Sequence, residues 1–363
     1  MFRIISVLML SLTVLAVWPC ASLAAPIKIG LSVPLTGPAA TYGMDIKNTI
    51  LFANEELGKG RYEFIIEDDR CSPREAASIA HKFVADSAIK FVLGLPCSGP
   101  ALSAAPIYER GQKLVFAFAS APELSNSGEY IFRGRPSDSE TAVALAGLVA
   151  GRHNRIGILA EQTDYAQAIK EALLGEFAVQ GKQAFSEDYL SDTADFRAVL
   201  LRLKSRNIEG LVIVSQSEQT AALPLKQLRE LTLELPIYGS NAMVSPTFLE
   251  LAGIEAEGVV VVALPPVDSV LTAAGKKIYA KYLAKYGSPK SVDYFFYSAF
   301  EAFRAMDAAL MSPADPRHFL STGKFNGIFG AYSFNEHGDM VGVAPLARLI
   351  RSRKFEPVEP RDP

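Results

Sequence analysis

The chain has 363 residues, with 36 Lys and Arg against 39 Asp and Glu and a net charge of −3 at pH 7. Its basic residues are scattered and form no stripe to match a phosphate backbone, which excludes a nucleic-acid partner. The apolar fraction of 49% is that of a globular chain, and the length exceeds what one hydrophobic core usually serves, so two lobes are expected.

The N-terminus comes first. Arg3 precedes an apolar run over 4–17 broken only by Ser6, Ser11 and Thr13, and small residues follow at Ala21-Ser22-Leu23-Ala24-Ala25. That is the layout of a cleavable signal peptide, expected to be cut after Ala24 and too short for a stable membrane anchor. Cys20 would leave with it, and Cys71 and Cys97 would remain as a pair. In an oxidising compartment such a pair is expected to form a disulfide. Two thiolates without a neighbouring His do not make a metal site.

Strands are predicted over 27–33, 62–67, 89–93 and 113–118, with helices over 43–57, 73–86 and 99–110 between them. Ser72 is the expected N-cap of the second helix and Pro73 its first residue. This alternation, with near-continuous apolar strands, implies a parallel sheet covered by helices on both faces. A connecting strand at 131–136 leads to a helix over 137–152, and the rhythm restarts. It continues with a strand at 155–160, a helix at 165–180, a strand at 183–189, a helix at 196–206, a strand at 210–214 and a helix at 219–231. Two short strands at 236–239 and 258–263 and two helices at 271–286 and 294–310 complete the reading. No repeat of solenoid length occurs. The expectation is an α/β protein of two doubly wound parallel-sheet lobes joined by short crossings.

In open parallel sheets ligands bind beyond the C-terminal ends of the strands. The first strand leads through Pro34-Leu35-Thr36-Gly37-Pro38 to Tyr42, the third delivers Pro96-Cys97-Ser98-Gly99, and the fourth delivers Ala117-Phe118-Ala119-Ser120-Ala121. In the second half the equivalents are residues 162–165 with Tyr165, then Ser215-Gln216-Ser217, then Ser240-Asn241. Small, hydroxylic, amide and aromatic side chains of this kind suit a modest organic ligand. At a helix N-terminus, Ser98 and the free N–H groups beside it form a carboxylate site; the competing role is a helix cap, and the place beside Cys97 at the mouth of the sheet favours the ligand. Tyr42 and Tyr165 either stack on a ligand or pack internally. Asn241 either bonds a ligand or closes a turn. The run Glu67-Asp68-Asp69 lacks EF-hand spacing and reads as a solvated loop, so neither a metal nor a cofactor is expected.

Catalysis is not expected. His81, His153, His318 and His337 lie far apart, and H-E-x-x-H, G-x-S-x-G, P-loop and G-x-G-x-x-G patterns are missing from the sequence. An exported hydrolase built on Ser98 would need a base within hydrogen-bond reach, and no strand end carries a His.

Ile27-Lys28-Ile29-Gly30 with Pro34-Leu35-Thr36-Gly37-Pro38 and Tyr42-Gly43, Asp68-Asp69-Arg70-Cys71-Ser72-Pro73, and Cys97-Ser98-Gly99 followed by Pro106-Ile107-Tyr108-Glu109 carry a family likeness. Ala119-Ser120-Ala121-Pro122-Glu123-Leu124 and Phe334-Asn335-Glu336-His337-Gly338-Asp339 extend it over nearly the whole chain. The chain resembles the leucine/isoleucine/valine-type (type I) substrate-binding proteins of bacterial ABC importers. The resemblance implies a monomer in the periplasm that captures a small molecule between two lobes and delivers it to an ABC transporter permease, with no cofactor. It implies a Cys71–Cys97 disulfide and three crossings, near Pro136, Pro266 and Gly330. The lobes would then be 25–136 with 267–330, and 137–266 with 331–363, after a signal peptide at 1–24. Ser98 would hold the ligand carboxylate, the Ala119 carbonyl and Ser120 hydroxyl would face an α-amino group, and Tyr42 and Tyr165 would line the cleft. Where the amino-acid binders place an acid in the second lobe, Tyr238-Gly239-Ser240-Asn241-Ala242 offers Asn241, and Ser215-Gln216-Ser217 stands where aromatic residues are expected. An amide accepts from an ammonium without compensating its charge. Aromatic or aliphatic acids without an amine therefore join amino acids as candidate ligands. A sensor that presents its closed form to a membrane receptor is the second functional class.

Overall fold

Near-continuous apolar runs become the central strands of two sheets, in a computed structural model that describes residues 25–358. The expected signal segment, residues 1–24, lies outside the described residues. In the first sheet β1 (Ile27–Val33) lies between β2 (Tyr62–Asp68) and β3 (Ile89–Gly94), and β4 (Leu114–Ala117) and β5 (Ile131–Arg133) follow outward, all parallel. One face packs on helices Ala40–Ala53 and Tyr294–Met311, the other on Pro73–Ala85 and Ser98–Arg110. Ser72 caps Pro73–Ala85 by accepting from Glu75 N, with Pro73 at the first helical position.

The second sheet repeats the scheme with β6 (Arg155–Glu161), β7 (Gln183–Tyr189), β8 (Gly210–Val214), β9 (Ile237–Gly239) and β10 (Val260–Ala263), parallel in the order β10-β9-β8-β6-β7. Helices Asp138–Ala150 and Asp164–Val179 cover one face, Arg197–Ser205 and Glu218–Glu230 the other. β11 (Lys324–Gly327), β12 (Gly330–Phe334) and β13 (Met340–Val341) form a small antiparallel sheet. β14 (Leu346–Arg351) and β15 (Lys354–Pro357) then extend the second sheet antiparallel, beside β10.

The third crossing comes later than expected. Instead of leaving near Gly330, the chain stays with the first lobe through Val341, held there by two contacts. Phe334 packs at 5.3 Å from Phe116 and 5.4 Å from Phe132. The buried Arg133 pairs with Asp339 at 2.9 Å, and its backbone N donates to Gly338 O. Helices Pro246–Ala252 and Pro316–Thr322 were not anticipated, being too short to show a period. Their start signal is present, since Ser245 and Asp315 cap them and proline follows each.

The acidic run is no solvated loop. Asp69 is fully buried and accepts from Ser32 Oγ at 3.0 Å and Cys71 N at 2.9 Å; burial pushes its carboxyl up to about 6. Asp68 accepts from Leu35 N and Thr36 Oγ1, joining the loop after β1 to the end of β2. The Cys71–Cys97 disulfide, with Cα atoms 5.6 Å apart, then ties that turn to the start of helix Ser98–Arg110. Gly94, at φ +126°, ends β3 where a Cβ would lie 2.0 Å from Ser32 O, so the close approach of β1 and β3 requires glycine.

Candidate ligand-binding site

The C-terminal ends of the two sheets face one another across a small polar cavity. From the first lobe come Tyr42, in the first turn of its helix, Pro96 after β3, Ser120 after β4, and Tyr294 with Phe295 on the long helix. The second lobe supplies Tyr165 at a helix start, Gln216 after β8, and Asn241 with Ala242 after β9; Arg135 enters from the crossing after β5. Tyr42 OH donates to the Gln216 carbonyl at 3.1 Å and so bridges the lobes. Gly99 and Asp164, at the starts of helices from opposite lobes, touch so closely that a Cβ on Gly99 would lie 2.3 Å from Asp164 Oδ2. The enclosed space is about 20 Å³, on the order of what one water needs. Admitting an organic ligand therefore requires the lobes to part or these side chains to swing aside.

A buried hydrogen-bond network backs the cavity. Arg135 donates through Nη1 to Tyr294 OH at 2.8 Å and through Nη2 to Asp138 Oδ1 at 3.1 Å, with its guanidinium 4.8 Å above the Tyr294 ring. Asn241 Nδ2 donates to the same Asp138 oxygen at 3.2 Å and to Tyr165 OH at 3.4 Å, and Tyr165 OH bonds Ser240 Oγ at 3.0 Å. Burial raises the Tyr42 and Tyr165 hydroxyls well above the usual tyrosine range, so both are neutral donors at any working pH. Glu161 fixes the Gln216 loop, accepting from Gln216 N at 2.6 Å and Thr220 Oγ1 at 2.8 Å.

Several polar atoms here are buried without a hydrogen-bond partner among the described residues: Ser98 Oγ, Arg135 Nε, Asp138 Oδ2 and Asn241 Oδ1. Each unsatisfied buried group costs roughly 1–3 kcal/mol, and native interiors hold few of them. Ser98 is not the cap of its helix. Cys97 occupies the cap position, Ser98 is the first helical residue, and its hydroxyl is left free for another partner.

Five of the seven residues expected from sequence therefore line one cavity: Tyr42, Ser120, Tyr165, Gln216 and Asn241. Ser98 and Ala119 are buried beside it but outside its lining, and the Ala119 backbone N is bonded to Leu95 O. Arg135, Asp138, Tyr294 and Phe295 were missed. Arg135 stands in a segment that reads from sequence only as a connection, and Tyr294-Phe295-Phe296-Tyr297 looks like uniform core. A larger cavity of about 510 Å³ opens beside β5, bordered by Arg317, His318 and His337. It draws on the first lobe alone, away from the facing strand ends.

Two doubly wound lobes with a polar cavity between their strand ends define a solute-binding protein. The chain belongs to the periplasmic binding protein family, whose model matches residues 26–354. The Leu/Ile/Val-binding protein of Escherichia coli (strain K12) is 27% identical over 335 residues, 88% of this chain and 90% of that one. The leucine binding protein LivK of Thermotoga maritima MSB8 superposes with a TM-score of 0.84 at 21% identity, covering 93% of this chain and 100% of its own. A solute binding protein of an ABC transporter from Rhodopseudomonas palustris BisB5, solved with 3,4-dihydroxy benzoic acid, gives 0.78 at 18% identity over 91% of this chain and 95% of its own. These two likenesses are of fold.

Proposed function

We propose that the protein captures a small carboxylate-bearing solute in the periplasm, closes two lobes over it, and presents the closed form to the permease of an ABC importer. The observation that carries this reading is the convergence of Tyr42, Ser120, Tyr165, Gln216 and Asn241 from both lobes on one cavity, bridged by the Tyr42–Gln216 bond. The lobes, residues 25–136 with 267–341 and 137–266 with 346–358, swing about the three crossings. The unpartnered Ser98 hydroxyl at its helix N-terminus takes the carboxylate, Tyr42 and Tyr165 enclose the ligand, and Ala119 and Ser120 face its second polar group. The protein acts as a monomer without a covalent step; no histidine lines the cavity to serve Ser98 as a base. Closure couples binding to delivery because only the closed surface fits the partner.

The curated relative's name puts branched-chain amino acids first among the ligands. Acids without an amine are the second reading, favoured by Asn241 and by the guanidinium of Arg135 in the cavity wall. A thermal-shift screen of the mature chain against amino, aliphatic and aromatic acids tests the proposal. A ligand at 100 times its Kd stabilises by about 2.7 kcal/mol. If no carboxylate raises the melting temperature while an uncharged solute does, the carboxylate reading is wrong.

A further inference from the structure

Arg135 in the cavity wall is ion-paired with the buried Asp138 behind it, and the unfilled valences around this pair specify the group that meets it. Asp138 is acceptor-only when ionised, so the Asn241 atom 3.2 Å from its Oδ1 must be the amide nitrogen. That orientation leaves Asn241 Oδ1 as an acceptor without a partner, and Asp138 Oδ2 is a second one. Both residues are almost fully buried. Two free acceptors on adjoining side chains call for a hydrogen-bond donor on the ligand.

Charge decides which donor. The Asp138 carboxylate is already neutralised by the Arg135 guanidinium, which touches it and lines the same cavity. An ammonium arriving at Asp138 Oδ2 would be a second cation on one carboxylate, held close to the first in a site screened from water. The other buried acids do not offset it. Glu161 is committed to Gln216 N and Thr220 Oγ1, and burial raises the Glu218 carboxyl to about 7, so it brings little fixed negative charge at neutral pH. A hydroxyl fills the acceptors without adding charge.

We propose that Arg135 is a specificity-determining residue that selects carboxylic acids bearing a neutral hydroxyl donor, hydroxy acids, over the amino acids of the same skeleton. The proposal rests on the reading of this cavity as a carboxylate-ligand site. Isothermal titration of the mature chain with matched pairs tests it: leucine against 2-hydroxy-4-methylpentanoate, valine against 2-hydroxy-3-methylbutanoate, and phenylalanine against 3-phenyllactate, all of the same hand. The hydroxy acid of at least one pair binds tenfold or more tighter than its amino twin. Arg135→Gln, which frees the Asp138 charge, shifts that ratio at least tenfold toward the amino acid. Asn241→Asp, which adds a carboxylate and leaves the arginine in place, shifts it the same way and serves if Arg135→Gln does not fold. Tighter binding of the amino member in every pair, or a ratio unmoved by both variants, overturns the role of Arg135. If neither member of any pair binds, and no other carboxylic acid does, the carboxylate-site reading falls and this inference with it.

Discussion

Glu218→Gln tests how burial of charge shapes stability across the lobe interface. Glu218 opens helix Glu218–Glu230 behind a Ser217–Thr220 capping box and is fully buried. Burial pushes its carboxyl from an ordinary 4.5 up to about 7, with Asp45 adding to the rise and the helix N–H and Ser245 opposing it. The folded chain thus holds a proton that the unfolded chain releases near 4.5. The corresponding stability is present in full below that pH and is lost as pH rises through about 7. At 1.36 kcal/mol per unit the loss amounts to roughly 3 kcal/mol. Glutamine has the same shape and no proton to lose. The variant should match the wild type near pH 4.5 and exceed it by up to about 3 kcal/mol at pH 8, in urea unfolding at unit steps between those limits. Asp69 and Asp293, each raised by burial to about 6, leave a shallower decline of the same sign in both proteins. Parallel curves for variant and wild type at every pH would refute the assignment of a buried proton to Glu218.

Three further outcomes are expected. Ser98→Ala removes a hydroxyl without a partner in the fold, so melting is unchanged while ligand affinity in titration drops about 10- to 100-fold, the worth of a charge-assisted bond; unchanged affinity would remove Ser98 from the site. Cys71 and Cys97 are 26 residues apart, and opening their bridge, by reductant or by paired serines, should cost about 3–4 kcal/mol in the chain-entropy model and lower the melting temperature by several degrees. Asp339→Ala leaves the buried Arg133 charge uncompensated, since its remaining partners are Ser120 O and Ser125 Oγ. A loss of about 3–5 kcal/mol in denaturant unfolding is expected, and a loss below 1 would show that solvent reaches the guanidinium.

What could be read from sequence follows physical lines. The strands of both sheets show because buried parallel strands are continuous apolar runs, and helix Pro73–Ala85 shows because Ser72 and Pro73 announce it. The five cavity residues named in advance were reachable because strand ends are the ligand side of such sheets. Asp69 was misjudged because charged residues are ordinarily exposed; its burial depends on Ser32, 37 residues away. Arg135 and Asp138 gain meaning only from their mutual contact in a dry interior, which spacing alone does not reveal. In Tyr294-Phe295-Phe296-Tyr297 every residue is aromatic, so no pattern distinguishes Tyr294 and Phe295, which line the cavity. The late crossing was hidden in short, glycine-interrupted strands after Lys324.

Helix Tyr294–Met311 buries residues along almost its whole length against Ala40–Ala53 and the first sheet. During synthesis, then, the lobe that begins the chain acquires its centre late: its five strands are made by Arg133, but one covering helix is missing until residue 311 of 363. A nascent chain stopped anywhere between those points has a sheet with one apolar face covered by Ala40–Ala53 alone. The core of this half therefore cannot be completed until most of the chain has been made.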